Sequence, residues 1–391
     1  MPDNPYVPLR PIDWDADEVT TAIGEIVADA LAGFDPVDFW PAHPSDDGLP
    51  DGTASFYFGA TGMIWALNYL KWVGATKASF DFSPILPRLI ENNRAEFAER
   101  DYSAHGSLLF GDLGSLLLVM RLQPDAAVAS QIYDRAEANS SLPIRELMWG
   151  MPGSMLACIH MHEMTGEERW RALFKMQAAR LLSELEDTEL GPLWRQDLYG
   201  HHHRWLGPVH GYAGNMIPLL RGWSWLEEEQ RASLTTIMPQ TLTRNAWRTA
   251  AGINWPAVAG GTARLCQHCH GAPGMVTTFA DAPLQSRELD ELLRQGGDFT
   301  WNAGPLSKGS NLCHGTGGNG YAFLKLFRRI GDAHWLERAR SFAMTAIAQC
   351  REARSELGRG RYSLWTGDVG LAVYLWDCLT GDPRFPTIDV F

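Results

Sequence analysis

The 391-residue sequence lacks the features that mark several large classes of protein. No apolar run approaches the ~18 residues that a membrane-spanning helix needs. The N-terminal stretch MPDNPYVPLRPIDWD has neither a basic start nor an apolar run, so it does not resemble a secretory signal. A net charge of −13 argues against sequence-independent nucleic-acid binding, which depends on basic surface. We therefore expect a cytoplasmic protein without a transmembrane segment.

Cysteine is also scarce, with six residues in the chain. In the cytoplasm cysteines stay reduced and serve as ligands or nucleophiles rather than in disulfides. Cys158, Cys350 and Cys378 fall within apolar helical runs and are predicted to lie in the core. Cys266 and Cys269 have Cys-x-x-Cys spacing, but no βαβ pattern surrounds them. We therefore interpret Cys266 as a packing residue.

Strand signals are poor throughout, whereas one helical signature recurs seven times. It is a Gly-x-x-Gly pair followed by an apolar run, and the pairs begin at Gly59, Gly111, Gly150, Gly211, Gly271, Gly315 and Gly367. Amphipathic segments such as residues 167–185 lie between the copies, as expected of helices with one face in solvent. The alternation predicts an all-α fold, a toroid of seven helical hairpins with the GxxG motifs at the starts of the inner helices.

No linker divides the chain, so residues 1–391 are predicted to form a single toroid domain. The repeats run from Gly59 to the C-terminal end of the sequence. Before them lie one predicted helix, from Asp15 to Leu31, and a Pro/Gly-rich loop over residues 33–52. We expect this N-terminal segment to cap or complete the ring.

Two of the seven copies carry a Cys-His pair directly before the first glycine. These pairs are Cys269-His270 and Cys313-His314, and their cysteines are 313 − 269 = 44 residues apart. In a ring of equivalent hairpins, adjacent copies of one position are neighbours in space. A set of two thiolates and one imidazole suits Zn2+ and leaves a fourth position open, as in catalytic zinc sites. We predict that Cys269, Cys313 and His314 bind one Zn2+ ion.

Two further residues are candidates for the chemistry at this end of the ring. His210 stands directly before Gly211, one repeat ahead of the Cys269 copy, and an imidazole there suits proton transfer near neutral pH. Glu146 lies four residues ahead of Gly150, where it could orient a histidine or remain a surface carboxylate. The run His201–His203 is interpreted as a solvated or partly packed loop rather than a second metal site.

Three segments, HGYAG (210–214), CHGAPG (269–274) and LCHGTGGNGYAF (312–323), give the sequence a clear family likeness. Together with the seven GxxG repeats, they show that the chain resembles the lanthionine synthetase C-like family over nearly its whole length. The resemblance implies an α/α toroid with zinc at one end. It also implies that Cys269, Cys313 and His314 are the zinc ligands and that His210 is a proton-transfer residue.

Other positions are similar to the eukaryotic-type or stand-alone members of that family. Glu146 falls where those members have Glu and the bacterial cyclases have Asp, and His270 stands where they have His and peptide cyclases often have Tyr. Lys308 matches a lysine that contacts glutathione, and Arg264 matches a substrate-site arginine. The NPY at 4–6 also looks like their N-terminus, although the arginine that precedes it there is missing.

The activity implied by the resemblance is Michael-type addition of a thiol to dehydroalanine or dehydrobutyrine, which gives a thioether. The thiol would come from a peptide cysteine or from glutathione, and a dehydratase is an implied partner. Attack on the β-carbon places negative charge on the substrate carbonyl, and His210 or His270 would then protonate the α-carbon.

Two other functions stay open at this point. α/α toroids also include glycoside hydrolases, which use two carboxylates ~5–10 Å apart. Asp112 and Asp368, inside the GDLG and GDVG copies, are the available acids. The other alternative is a zinc-containing glutathione- or peptide-binding protein without catalysis.

Overall fold

The computed structural model describes residues 5–46, 48–98, 106–261 and 265–391. Across these ranges, fourteen α-helices form the body of the protein and two short antiparallel hairpins join it. None of the helices in the described ranges is long and apolar enough to cross a membrane.

The helices alternate between an outer and an inner layer. In chain order they are α1 (Ala16–Ala32), α2 (Ala60–Trp72), α3 (Leu86–Ala98), α4 (Asp112–Leu122), α5 (Ala126–Asn139), α6 (Met151–Thr165), α7 (Glu168–Ser183), α8 (Tyr212–Arg221), α9 (Glu228–Arg244), α10 (Ala272–Phe279), α11 (Arg287–Ala303), α12 (Thr316–Ile330), α13 (Ala333–Leu357) and α14 (Asp368–Thr380). Every even-numbered helix contacts the next even-numbered helix, and α14 contacts α2, so the inner ring closes. The predicted toroid of seven hairpins is thus confirmed.

The sequence of each layer explains its position. Inner helices such as α6 have buried side chains around most of their circumference, whereas α11 buries one stripe that includes Leu289, Leu292 and Leu293. The N-terminal helix α1 is capped by Asp15, whose carboxylate accepts from two backbone N–H groups in the first turn. This helix lies against α13 and α14, next to the point where the ring closes.

Each inner helix begins directly after the first glycine of its GxxG pair, and close backbone packing explains the glycines. A Cβ atom on Gly318 would lie 1.8 Å from the carbonyl oxygen of Leu312, and one on Gly274 would lie 1.9 Å from that of His268. Among the seven first glycines, only Gly271 has a positive φ, at 127°. The motif therefore requires glycine mainly because glycine has no side chain, and less because of unusual backbone angles.

Replacing Gly318 with alanine is expected to lower the free energy of unfolding by about 3 kcal/mol, because the carbonyl of Leu312 belongs to the backbone and cannot rotate away. Gly24 provides the control, since it lies inside α1 and a methyl group added there would have nothing within 4 Å. Gly24→Ala should gain roughly 0.5–1 kcal/mol from helix propensity alone. Urea unfolding measures both, and equal effects in the two variants would contradict the packing explanation.

The strands form two separate hairpins. Strands β1 (Gln196–Leu198) and β2 (His201–His203) make one, and β3 (Trp247–Thr249) and β4 (Gly252–Asn254) make the other. The interpretation of His201–His203 as a loop was wrong, since these residues form β2, although all three are exposed as expected of a solvated segment. Short one-turn 3-10 helices occupy Ser83–Ile85 and Trp223–Trp225.

Candidate active site

The loops that precede the inner helices meet at one end of the toroid, and we call this end the mouth. Residues two positions before the first glycine are joined there by backbone hydrogen bonds that run from repeat to repeat. The N–H of Cys269 donates to the carbonyl of Cys313 (3.0 Å), and the N–H of Cys313 donates to Trp365 (2.9 Å). Trp365 donates to Tyr57 (3.3 Å), and Tyr57 donates to Leu109 (2.9 Å). This chain of bonds fixes both cysteines in adjacent, equivalent places.

The two thiols share a small buried polar cluster at the mouth. Cys269 and Cys313 are hydrogen-bonded to each other through their side chains, and His314 is hydrogen-bonded to Cys313. The hydroxyl of Tyr57 donates to Cys313 Sγ at 2.7 Å, and Nε2 of Gln267 donates to Cys269 Sγ at 2.9 Å. The structure thus brings the three predicted ligands together and adds a donor to each sulfur.

The thiols differ in acidity because they share one hydrogen bond. Donation from Cys313 lowers the pKa of the Cys269 thiol, and Gln267 and the positive charge of Lys308 lower it further. The same hydrogen bond, together with burial, raises the pKa of Cys313 well above its usual range. Burial and the adjacent Cys313 sulfur also raise the pKa of Tyr57, which keeps its phenol protonated and able to donate.

No group of three or more His, Cys, Asp or Glu side chains in the described ranges has the arrangement of a metal site. The chemistry of the donor set nevertheless fits zinc. Cys269, Cys313 and His314 supply two sulfurs and one nitrogen, which is the Cys2His combination of open zinc sites. The hydrogen bonds that link them place these donors side by side. Zinc binding stays a prediction that rests on this donor set.

His210 is held by a buried carboxylate on the same rim. Its Nδ1 lies 2.8 Å from Oε2 of Glu146, whose side chain is fully buried. Glu146 also accepts from the backbone N–H groups of Met148, at 3.1 Å, and Trp149. A carboxylate that accepts from Nδ1–H fixes the imidazole ring and leaves Nε2 for proton transfer. Glu146 is thus buried against a histidine, and the surface alternative is wrong.

His270 occupies the rim between His210 and the thiols. Its ring lies 6.3 Å from the ring of His210 and 5.5 Å from that of Trp205. Nδ1 of His270 is buried and has no hydrogen-bond partner among the residues that the structure describes. Burial lowers the pKa of His270 to about 4. Both candidate histidines therefore face one region of the mouth, but only His210 has a carboxylate to orient it.

Lys308 is connected to the thiols through one intermediate residue. Its Nζ donates to Oε1 of Gln267 at 3.1 Å, and Gln267 in turn donates to Cys269. Lys308 also lines a cavity of about 390 Å3 together with Arg354, Arg359 and Arg361 and with the acidic residues Glu356 and Asp368, so basic side chains outnumber acidic ones in its wall. Arg264, the other predicted substrate residue, lies outside the described residues.

A larger cavity of about 740 Å3 lies elsewhere, between the C-terminal ends of α8, α10 and α12 and the segment 382–390. None of the predicted catalytic, metal-binding or substrate-binding residues lines it. Its size alone does not make it the reaction site, because the thiols and the Glu146–His210 pair lie at the mouth, whereas charged residues of this cavity such as Lys325 are paired with neighbouring carboxylates.

The two acids of the glycosidase alternative both face the outer layer. Asp112 is buried and forms salt bridges with Arg94 (2.8 Å) and Arg135 (3.0 Å), which lie on α3 and α5. Asp368 is hydrogen-bonded to Cys350 of α13, and burial raises the pKa of Asp368 to about 6. Each carboxylate is thus bound to its own outer helix, and although Asp368 also lines the cavity beside Lys308, Asp112 does not, so the two acids do not share a groove. This geometry disfavours glycoside hydrolysis.

Sequence reasoning missed Tyr57 and Gln267. Tyr57 stands two positions before Gly59, the same place that the two cysteines hold in their repeats, so a comparison of the repeats in register would have found it. Gln267 lies in the loop before Cys269 and follows no repeat pattern, so only the folded loop reveals its role.

The closed α/α ring and the cysteine-histidine mouth define a known class of protein. The sequence model of the family described as lanthionine synthetase C-like protein matches residues 41–390, and the chain belongs to this family. Nisin cyclase has the same fold, with a TM-score of 0.64 at 15% identity, over 95% of this chain and 99% of that one.

Two curated relatives are similar over shorter stretches. LanC-like protein GCL1 of Arabidopsis thaliana is 33% identical over 217 residues, which cover 52% of this chain and 47% of the relative. Glutathione S-transferase LANCL1 of Danio rerio is 26% identical over 259 residues, covering 63% of this chain and 62% of the relative. The matches thus span about half to three-fifths of these relatives.

Proposed function

We propose that the protein is a zinc-dependent enzyme that adds a thiol to dehydroalanine or dehydrobutyrine residues of a peptide and so forms a thioether. The observation that carries the proposal is the shared mouth, where two thiols and His314 lie on one side and the Glu146–His210 pair on the other. The family assignment supports it, because lanthionine is itself a thioether.

The two sides of the mouth have separate tasks in this reaction. Zinc, when bound by Cys269, Cys313 and His314, would supply a Lewis acid that keeps the substrate thiol deprotonated at neutral pH. As the sulfur lone pair forms the S–Cβ bond, the electrons of the C=C bond move toward the substrate carbonyl. His210 then gives the proton on Nε2 to the α-carbon, and the proton released by the thiol restores the imidazolium. The addition consumes no oxidant or reductant.

The residues that contact His210 and the two cysteines favour thiol addition. Glu146 holds His210 through Nδ1, so the ring cannot turn away when its charge changes. Tyr57 and Gln267 each donate to one sulfur, and donors of this kind stabilise negative charge on buried thiolates. Burial of both cysteines keeps water away from the sulfur donors.

The nucleophilic thiol could come from a cysteine of the peptide or from glutathione. One relative is named a cyclase and another a glutathione S-transferase. Lys308 and the mainly basic wall of its cavity favour an anionic thiol such as glutathione at this side of the mouth, because cations there would pair with its carboxylates. We propose that Lys308 contacts glutathione when glutathione is the nucleophile.

The test uses two dehydroalanine peptides, one with its own cysteine and one that needs added glutathione, with thioether formation followed by mass spectrometry. Lys308→Ala is expected to raise KM for glutathione about tenfold, the value of one charge-assisted contact, while cyclisation of the cysteine peptide is little changed. Lys175→Ala is the control, since Lys175 pairs with Glu227 on the outer surface.

An unchanged KM for glutathione in Lys308→Ala would remove the proposed contact. The zinc content of the same variant should also be measured, because Lys308 holds Gln267 against Cys269. Wild-type protein that binds zinc and both peptides yet forms no thioether would show a binding protein instead of an enzyme.

A further inference from the structure

The residue directly before the first glycine divides the mouth into two halves. In repeats four to six it is histidine, in repeat seven it is Thr366, and in repeats one to three it is a large aromatic residue, namely Phe58, Phe110 and Trp149. Because the position is equivalent in every hairpin and the inner ring closes, the aromatic residues follow one another along one arc. The arc faces the same opening as the histidines and thiols.

The rings of this arc are in direct contact. Phe58 and Phe110 meet edge to face with centroids 5.7 Å apart, and Phe110 stacks on Trp149 at 4.5 Å with an angle of 6°. Phe58 and Phe110 are only half-buried, although both lie among core elements. Trp149 is buried, so Phe58 and Phe110 form the accessible part of this row of contacting rings at the mouth.

Both ends of the arc connect to groups of the reaction site. At the Phe58 end, Tyr57 meets the Phe58 ring edge to face at 4.6 Å, and its hydroxyl donates to the sulfur of Cys313. At the other end, Nε1 of Trp149 donates to the hydroxyl of Tyr199 at 3.0 Å, and the Tyr199 ring meets that of His210 edge to face at 5.9 Å. The arc thus contacts a neighbour of Cys313 through Tyr57 and a neighbour of His210 through Tyr199.

The backbone conformation and the exposure of Tyr199 are unusual for a tyrosine. It occupies the turn between β1 and β2 with φ 53°, followed by Gly200 with φ 75°, and its side chain is 62% exposed. Such a turn normally has Asn or Gly at this position, because a left-handed conformation costs a tyrosine roughly 1 kcal/mol. An exposed aromatic ring held in a disfavoured conformation beside His210 makes Tyr199 a candidate binding residue.

We infer that Phe58, Phe110, Trp149 and Tyr199 form a subsite for an apolar or aromatic side chain that flanks the reacting residue of a peptide. Aromatic faces bind such side chains by burial of apolar surface and by edge-to-face contacts. The basic residues around Lys308 lie near the thiols and not along the arc. A small anionic thiol would therefore bind beside Lys308 and leave the aromatic arc free. The placement of the reacting residue rests on the proposed function, whereas the preference for an apolar side chain does not.

The test is therefore a binding measurement with two unreactive peptides, in which alanine replaces dehydroalanine. One has phenylalanine beside the alanine, and the other has serine. Wild-type protein is expected to bind the phenylalanine peptide roughly tenfold more tightly by calorimetry. Tyr199→Asn should lose most of this preference with little change in thermal stability, because the better fit of asparagine to the turn offsets the lost acceptor of Trp149. Tyr199→Phe should keep it, because the ring remains.

Phe80→Asn is the matched control, since Phe80 is also an exposed aromatic residue but packs on Phe34 and Phe82 away from the mouth. It should keep the wild-type preference. Equal affinities for the two peptides, no binding of either, or full preference in Tyr199→Asn would overturn the subsite. Failure of wild-type protein to form a thioether with a serine-flanked dehydroalanine peptide would refute the proposed function separately.

Discussion

Replacing Cys313 with alanine is expected to remove the bound zinc and abolish thioether formation while the toroid remains folded. Cys313 would supply one of three protein ligands, and two ligands hold zinc far more weakly than three. Stability should also fall by about 1–3 kcal/mol, because the buried hydroxyl of Tyr57 loses its acceptor. Elemental analysis of protein purified without added metal gives the zinc content, and circular dichroism follows unfolding.

The matched control for this variant is Cys266→Ala. Cys266 is a buried free thiol three residues from Cys269, and burial raises its pKa to about 12. If Cys266 only packs, its alanine variant keeps zinc and activity. Full zinc in Cys313→Ala, or loss of zinc in Cys266→Ala, would show that the ligand set is different.

His210→Asn is expected to keep zinc but to lower kcat by ~10²–10⁴-fold, the usual contribution of a general acid. Asparagine can still bond to Glu146 but cannot transfer a proton at neutral pH, so the change isolates the chemistry from the packing. Because the addition step requires a proton at the α-carbon, product formation should fail after thiol binding. Zinc analysis and single-turnover measurements with a dehydroalanine peptide separate the two stages.

His270→Phe is the informative comparison, since the His270 ring lies 6.3 Å from that of His210 and borders the same space. The geometry favours His210, which has Glu146 at 2.8 Å, as the proton donor. We therefore expect the phenylalanine variant to retain substantial turnover. Wild-type turnover in His210→Asn together with an inactive His270→Phe would assign the proton transfer to His270.

The fold was predictable because the repeat signal is redundant. Seven GxxG pairs precede seven inner helices, and each of these helices begins directly after the first glycine, so an error in one copy would not have changed the outcome. The β1–β2 hairpin was missed because its second strand is a run of three histidines without β-branched residues. Strand formation there depends on pairing with β1 rather than on local preference.

The arrangement of the mouth was predictable only in part. The equivalent positions of Cys269 and Cys313 placed them side by side, since register within a closed repeat ring specifies neighbours. Contacts across the ring were not accessible in this way, because the side chain of Tyr57 reaches Cys313 over 256 residues of sequence. The burial of Glu146 likewise depends on the loop that wraps two backbone N–H groups around its carboxylate.

Closure of the inner ring between α14 and α2 has a consequence for the order of folding. Cys269, Cys313 and His314 belong to consecutive hairpins and can come together over a short loop, whereas Tyr57 can join them only after the first and last hairpins meet. Long-range contacts of this kind pay a larger loop-closure entropy and form late. We therefore expect the sulfur-rich half of the site to form before the first and last hairpins meet and Tyr57 to join it afterwards.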